Sequence, residues 1–347
     1  MEGCYSGLRA RVAEVAPNMK WTHCCIHRQS LASKPLPLDL KNVLDEAVKI
    51  VNFIKASDTK SRLFTLLCRE MDSLHSTLLF HTEVRWLSRG KVLTRLFELR
   101  NEVSLFFEDH PCKNLVSRIH DFDWLQSLAY LSDIFSQINK LNLSLQMNCN
   151  IFQVSSKIEA MKKKIDFWVK CIEKGQTEVF ETLYDFVHTS ENKMTIGTLI
   201  VEHLTALKRS FDKYFPDKPD VGMQWIANPF NDELIEFSSL SYSEKEKLIE
   251  LSCDTTLKTM FNGQMKNLVT FWFHCKEEYS ELSEKALRVM VQFTSSVLVE
   301  RAFSSYSFIK TKYRNKLNTA PDLRVYLSST EPDFKELTSK VQAQKSH

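Results

Sequence analysis

Two groups of side chains have types and spacings that could do chemistry. Cys24 and His27 stand three residues apart with His23 and Cys25 beside them, a zinc-like spacing. A structural zinc site takes four ligands, and no second Cys/His pair lies nearby, since His274–Cys275 is too distant in sequence to count. A packing and loop-ordering role is therefore expected for this segment, with no metal. The second group is Lys310, Lys312, Arg314 and Lys316, which crowd the end of Thr294–Leu317, TSSVLVERAFSSYSFIKTKYRNKL. With Tyr313 interleaved and no acid between them, these cations suit a phosphate backbone. Lys162–Lys164, Arg288 and Arg301 are weaker candidates, because such runs are usually solvated helix faces. Glu300 is the single carboxylate of the stretch. Its plain reading is a solvated pair with Arg301 at a helix start, where negative charge is favoured.

Spacing decides the elements that must position these groups. Ser295 and Ser296 can cap a helix. Val299, Ala302, Phe303, Tyr306, Ile309 and Tyr313 recur at three- and four-residue steps, one apolar stripe expected to face a core. Glu300 falls off the stripe in line with Ser304, Ser307 and Thr311, and the basic cluster sits in the last turns. Upstream, similar faces predict helices over 7–15, 40–54, 63–71, 91–107, 122–145, 158–172, 180–187, 196–215 and 242–260, the last without a good capping box. Pro216–Pro229 reads as a long loop. Residues 19–27, MKWTHCCIH, read as a short strand entering a loop, 77–88 as a strand or extended turn as readily as a helix, and 287–294 as a short strand through the alternation of Val289, Val291 and Phe293.

Bulk properties narrow the class. The chain has 347 residues, 43% of them hydrophobic, which is enough for a sizeable core. Only 7 Gly and 9 Pro argue against a many-turned β protein. With 46 Lys and Arg against 43 Asp and Glu, the net charge of +3 demands no polyanionic partner, so any nucleic-acid surface must be local. The 9 Cys form no regular framework, which points to a reducing compartment, and no stretch predicts a membrane span.

The run ValGluArgAlaPheSer at 299–304, followed by Arg-Asn-Lys-Leu at 314–317, resembles the C-terminal signature of the hAT (hobo/Activator) DNA transposases. Phe271, Trp272, Tyr279, Leu282 and Ala286 resemble the family's approach to that Glu, although Ser280 stands where the family usually has Pro. CCIHRQSLASK, Cys24 to Lys34, looks like its Cys-x-x-His segment, and HTEVRWLSRGKVLTRLFELR, His81 to Arg100, like its Arg-Trp motif. The loop before Asn228-Pro229-Phe230 is similar to a Trp…Asn-Pro-Phe segment of domesticated relatives, among them proteins with BED-type zinc fingers.

The resemblance implies a mainly α chain: a remnant of an RNase H-like fold carrying a large all-helical insertion, with few short strands. Residues 1–33 would be the truncated RNase H-like remnant, 34–265 the insertion, and 266–347 the returning helical part with the hAT dimerisation segment. Trp272, Tyr279, Leu282, Phe303 and Tyr306 would serve dimerisation, and Arg85–Trp86 would lie against DNA with the indole stacked on a displaced base. The plainer alternative for that pair is a half-buried Trp under an Arg. Glu300 matches the third member of an acidic triad. RNase H-like strand transfer holds Mg²⁺ with several carboxylates, and two Asp partners are missing upstream, as in a C-terminal portion of a longer protein. Asp39, Asp45 and Glu46 do not match their place. The expected function is non-enzymatic and nuclear, through self-association or a related hAT-derived partner, with weak DNA binding through Arg85, Trp86, Lys310, Lys312, Arg314 and Lys316. The alternatives are a fragment of an active transposase using Mg²⁺, and a helical scaffold without nucleic-acid contact.

Overall fold

Every regular element among the described residues is a helix. The computed structural model describes residues 7–17, 23–79, 88–111, 115–147, 149–190, 192–216, 220–264, 267–292, 294–314, 316–328 and 333–339. By internal contacts the chain divides into two units, Met1–Thr294 and Ser295–His347. The first contains α1 (Leu8–Val15), α2 (Cys25–Ala32), α3 (Leu38–Lys55), α4 (Asp58–Glu70), α5 (Ser88–Glu98), α6 (Arg100–Asp109), α7 (Val116–Ile119), α8 (Phe122–Gln146), α9 (Ile151–Glu173), α10 (Glu181–Thr189) and α11 (Gly197–Tyr214). After a 3-10 turn at Val221–Ile226 follow α12 (Asp232–Glu236), α13 (Tyr242–Cys253), α14 (Thr255–Thr259), a π turn at Met260–Gln264, α15 (Leu268–His274) and α16 (Ser280–Met290). The second unit contains α17 (Val297–Ile309), α18 (Thr319–Leu327) and α19 (Phe334–Ser339).

The first core is built around α8. The Asp121 carboxylate accepts from the Asp123 and Trp124 amides and starts this helix. Helices α2, α3, α5, α7, α9 and α10 all pack on it. A helix surrounded this way cannot keep a polar face in water, and α8 buries Gln126, Ser127, Ser132 and Asn142 beside Leu128, Phe135, Ile138 and Leu145. Each buried polar group is partnered, as burial requires. Gln126 donates to Thr195 Oγ1 at 3.1 Å and accepts the Thr195 amide at 3.1 Å, Asn142 donates to Gln29 Oε1 at 2.5 Å, and Ser132 shares a 2.7 Å hydrogen bond with Thr94. Glu46 on α3 accepts from Trp124 Nε1 at 2.8 Å. Deeper still, Tyr130 Oη lies 2.7 Å from His203 Nδ1 on α11. The α2 residues Cys25 and Ala32 belong to this same core.

The second core joins α12 to α16 with the 3-10 turn and Phe152 of α9. Trp225, Phe271 and Trp272 fill its centre. Trp272 Nε1 donates to the Ile226 carbonyl at 2.9 Å, and Ser283 Oγ donates to the Trp272 carbonyl at 2.5 Å. Gly222 is needed here for space: a Cβ would sit 2.9 Å from Ser239 Cβ and 3.1 Å from its backbone nitrogen. The Pro216–Pro229 stretch is thus partly a structured turn that delivers Trp225 to the core.

The structure corrects several local expectations. Residues 287–290 continue α16, so the alternating Val289 belongs to a helix; Leu282 and Ala286 of the same helix are buried in the second core, which rewards a period of 3.6 over one of two. The helix expected over 242–260 breaks at Asp254, whose side chain accepts from the Thr256 and Leu257 amides and so starts α14. Its start does carry a capping box, with Ser241 and Glu244 exchanging side chain-to-backbone hydrogen bonds. The 91–107 helix is two, α5 and α6, meeting at Leu99. Of the strand expected over 19–27, residues 19–22 lie outside the described residues and 25–27 instead begin α2, whose Cys25 is buried in the first core; of 77–88, residues 80–87 lie outside the described residues. Among the described residues no strand is present and no helix is long and apolar enough to cross a membrane.

Candidate functional site

The segment that carries Glu300 and the cations is the start of the second unit, and its geometry departs from expectation at both ends. At the N-terminus the Ser296 side chain makes no capping bond to an amide; its hydroxyl donates instead to Glu300 Oε1 at 2.6 Å. The Glu300 amide reaches back to the Ser296 carbonyl at 2.8 Å, and Ser304 Oγ donates to the Glu300 carbonyl at 3.1 Å. The carboxylate is thus held by a hydroxyl one turn earlier, in the first turn of α17, where the helix dipole favours it. At the other end α17 stops at Ile309, so the cations follow the helix rather than crown it. Lys310 caps the helix and lays its ammonium over the Tyr306 ring, 5.6 Å from the centroid. Lys312–Arg314 is a 3-10 turn closed by the Arg314 amide on the Thr311 carbonyl at 2.9 Å. Arg314 and Lys316 are exposed, and Tyr313 is 95% exposed.

The apolar stripe does not face a core within its unit. Val299, Phe303 and Phe308 on α17 and Val325, Tyr326 and Leu327 on α18 are all exposed, Phe303 to 61%. The Phe308 and Tyr326 rings meet at 6.2 Å. Among the unit's residues whose side chains are described, Thr319 alone is buried. Among the described residues the two short helices α17 and α18 do not enclose their own aromatic side chains.

The other residues singled out by sequence are dispersed. Trp272, Tyr279 and Leu282 are buried in the second core, Trp272 completely, so they fill an interior rather than present a surface. Arg85 and Trp86 lie outside the described residues, and so does the Lys312 side chain. Cys24 precedes α2 as its cap, and the His23 and His27 rings stand 5.0 Å apart. Cys25 is buried, and burial, reinforced by Cys24, pushes its thiol up to about 12, so it stays protonated. Among the described residues no three His, Cys, Asp or Glu side chains are gathered to hold a metal ion. The described residues around Glu300 do not fit the Mg²⁺ centre of an RNase H-like enzyme: one carboxylate with a hydroxyl on it offers too few oxygens.

Sequence reasoning missed a cleft between α6 and α10 lined by Arg100, Glu181 and Asp185 among others. The available signal was two carboxylates four residues apart on a predicted helix with no cation to compensate them.

Residues 23–173 match the family model described as FAM200-GTF2IRD2-like, the FAM200/GTF2IRD2 helical domain. The match runs from the approach to α2 to the end of α9, less than half of the 347 residues. It makes this stretch similar to a domain of domesticated proteins derived from transposases, and so supports a transposase-derived family. The first core extends past it, because α10 and α11 contribute Leu183, Ile200, Leu204, Leu207 and Phe211. No solved structure matches the chain.

Proposed function

We propose that this chain derives from an hAT transposase and acts without catalysis, by associating with a second copy of itself through the apolar faces of α17 and α18. The observation that carries the reading is the exposure of Val299, Phe303, Phe308, Val325 and Tyr326 in a unit with no hydrophobic interior among its described residues. Two symmetry-related copies of this face would bury each other's aromatic side chains, the usual isologous solution. The cations after Ile309 repel their counterparts and favour an arrangement that leaves Lys310, Arg314 and Lys316 at the rim. From there they would contact DNA weakly through phosphates, consistent with a nuclear protein. The hAT resemblance of residues 299–317 supports this reading, and the engagement of Glu300 by Ser296 supports the absence of strand transfer.

Sedimentation velocity on the full chain tests the association. A dimer is expected at tens of micromolar, as for an interface near the standard size, and a strictly monomeric species there overturns it. For DNA, duplex binding should weaken steeply between low and physiological salt; binding indifferent to salt removes the phosphate contact from the proposal. A Mg²⁺-dependent strand-cleavage assay that finds activity in the wild type and none in Glu300→Gln overturns the non-enzymatic reading.

A further inference from the structure

The cleft between α6 and α10 has a volume of about 650 Å³ and belongs wholly to the first unit. Phe97, Leu125 and Phe186 give it an apolar lining. The Phe97 and Phe186 rings meet edge-on, 5.6 Å apart at 85°, and the Arg100 guanidinium covers both, 4.4 Å from the first and 5.7 Å from the second. Arg100 Nη1 also donates to the Phe97 carbonyl at 2.9 Å. These contacts lay the guanidinium on the aromatic rings of α5 and α10, and among the described residues it forms no ion pair with Glu181 or Asp185.

On the α10 side Glu181 and Asp185 line the cleft four residues apart, both exposed. Among the described residues neither makes an ion pair. Like charges at this spacing on a helix repel each other, so the pair weakens α10 unless a cation joins it. Glu98 also lines the cleft, but Arg95 and His75 already hold it, each at 3.3 Å. Ser104 and His120, 3.3 Å apart, add hydrogen-bonding groups.

We propose that this cleft binds a basic peptide segment of a partner protein, with two cationic side chains on Glu181 and Asp185 and an apolar side chain against Phe97, Leu125 and Phe186. Charge complementarity selects the occupant. The uncompensated carboxylates repel a phosphate backbone, while the apolar lining rewards a ligand with hydrocarbon as well as charge. Side chains one helical turn apart are about 5–6 Å from each other, close to the roughly 6.6 Å between alternate residues of an extended peptide. A Lys-x-Lys or Arg-x-Arg segment therefore matches the pair in register. This site is independent of the association surface on α17 and α18, and neither reading stands or falls with the other.

Fluorescence anisotropy on the full chain tests it, with a labelled peptide Gly-Lys-Leu-Lys-Leu-Lys-Gly as probe and its Glu-for-Lys counterpart as control. The Lys peptide is expected to saturate and the Glu peptide not to bind. Glu181→Gln and Asp185→Asn should each weaken binding by about fivefold, as for the loss of one partly exposed ion pair, and together should abolish it. Glu108→Gln, on α6 but outside the cleft, should change nothing, and far-ultraviolet circular dichroism should be alike for all variants. Equal binding by the double variant and the wild type overturns the proposal, as does no saturation up to roughly 1 mM peptide, the weak limit of specific recognition. Spermidine supplies the same cations without a backbone or side-chain leucines. If it displaces the peptide at equal concentration, the cleft is an amine site and the peptide assignment fails.

Discussion

The indole of Trp225 stands edge-on to that of Trp272, 5.3 Å between ring centres and 88° between planes. One ring comes from the turn after α11 and the other from α15, so this single contact closes the second core across nearly fifty residues of chain. The adjacent hydrogen bond, Trp272 Nε1 to the Ile226 carbonyl, anchors the same two segments.

Trp272→Phe removes that donor and part of the ring. The expected cost is about 2–4 kcal/mol, from a small cavity plus a buried carbonyl left without its partner. Urea unfolding followed by circular dichroism measures it, and a loss below the error of the midpoint would show that the Trp225–Trp272 contact does not hold the second core.

The Tyr130–His203 pair predicts a pH dependence. Burial pushes the His203 imidazole down to about 4, and burial holds the Tyr130 phenol well above its usual range. Both are neutral in the folded protein and share a 2.7 Å hydrogen bond whose direction follows the imidazole tautomer. The unfolded chain takes up a proton near pH 6.5, where the folded chain does not, so stability is full above that pH and falls as pH drops toward 4. Unfolding midpoints across that window should show the slope in the wild type and a shallower one in His203→Gln. Tyr130→Phe should cost about 1–3 kcal/mol at neutral pH by leaving a buried ring nitrogen unpaired.

Glu244 behaves in the opposite sense. The Lys285 ammonium and the Ser241 amide pull its carboxyl down to about 2, with Lys285 Nζ at 2.5 Å. Its contribution is present above the ordinary carboxylate range and is lost as pH falls from about 4.5 through 2. Lys285→Met should therefore narrow the difference in stability between pH 5 and pH 2.5, read from thermal unfolding at both. Ser241→Ala should cost about 1 kcal/mol through the cap itself.

Phe303→Glu separates association from folding. Because Phe303 is largely exposed, the variant should match the wild type in unfolding free energy within about 0.5 kcal/mol, the usual range for surface changes, when both are measured dilute enough to be monomeric, while at higher concentration its sedimentation shifts toward monomer. A large loss of stability would mean that this face packs inside the protomer.

Much of the helical map was legible in the sequence because amphipathic spacing is a local property. The faces at 40–54 and 158–172 reappear as α3 and α9, and Pro216 ends α11 as its missing amide requires. The capping box at Ser241 and Glu244 is likewise a local pattern, a Ser and a Glu three residues apart at a helix start. For the candidate site the legible part was smaller. The Glu300 stretch could be recognised and its cations counted, but the stripe of Val299, Phe303 and Tyr306 carries the same periodicity whether it covers a core or faces outward. The polar residues of α8 fail for the converse reason. Gln126, Ser132 and Asn142 read as a solvent face until Thr195, Thr94 and Gln29 come from distant segments to satisfy them.

Composition and periodicity by themselves determined a mainly helical chain, the faces that become α3, α8, α9, α10 and α11, and a basic segment at 310–316. Those depend on the backbone and on neighbours within a turn. Only the tertiary structure decided that Trp272 and Leu282 are interior, that the α17 stripe is not, and that Glu181 and Asp185 border a cleft beside Arg100. Burial and charge compensation are set by what other segments bring to the same place, and a one-dimensional pattern does not contain that distance.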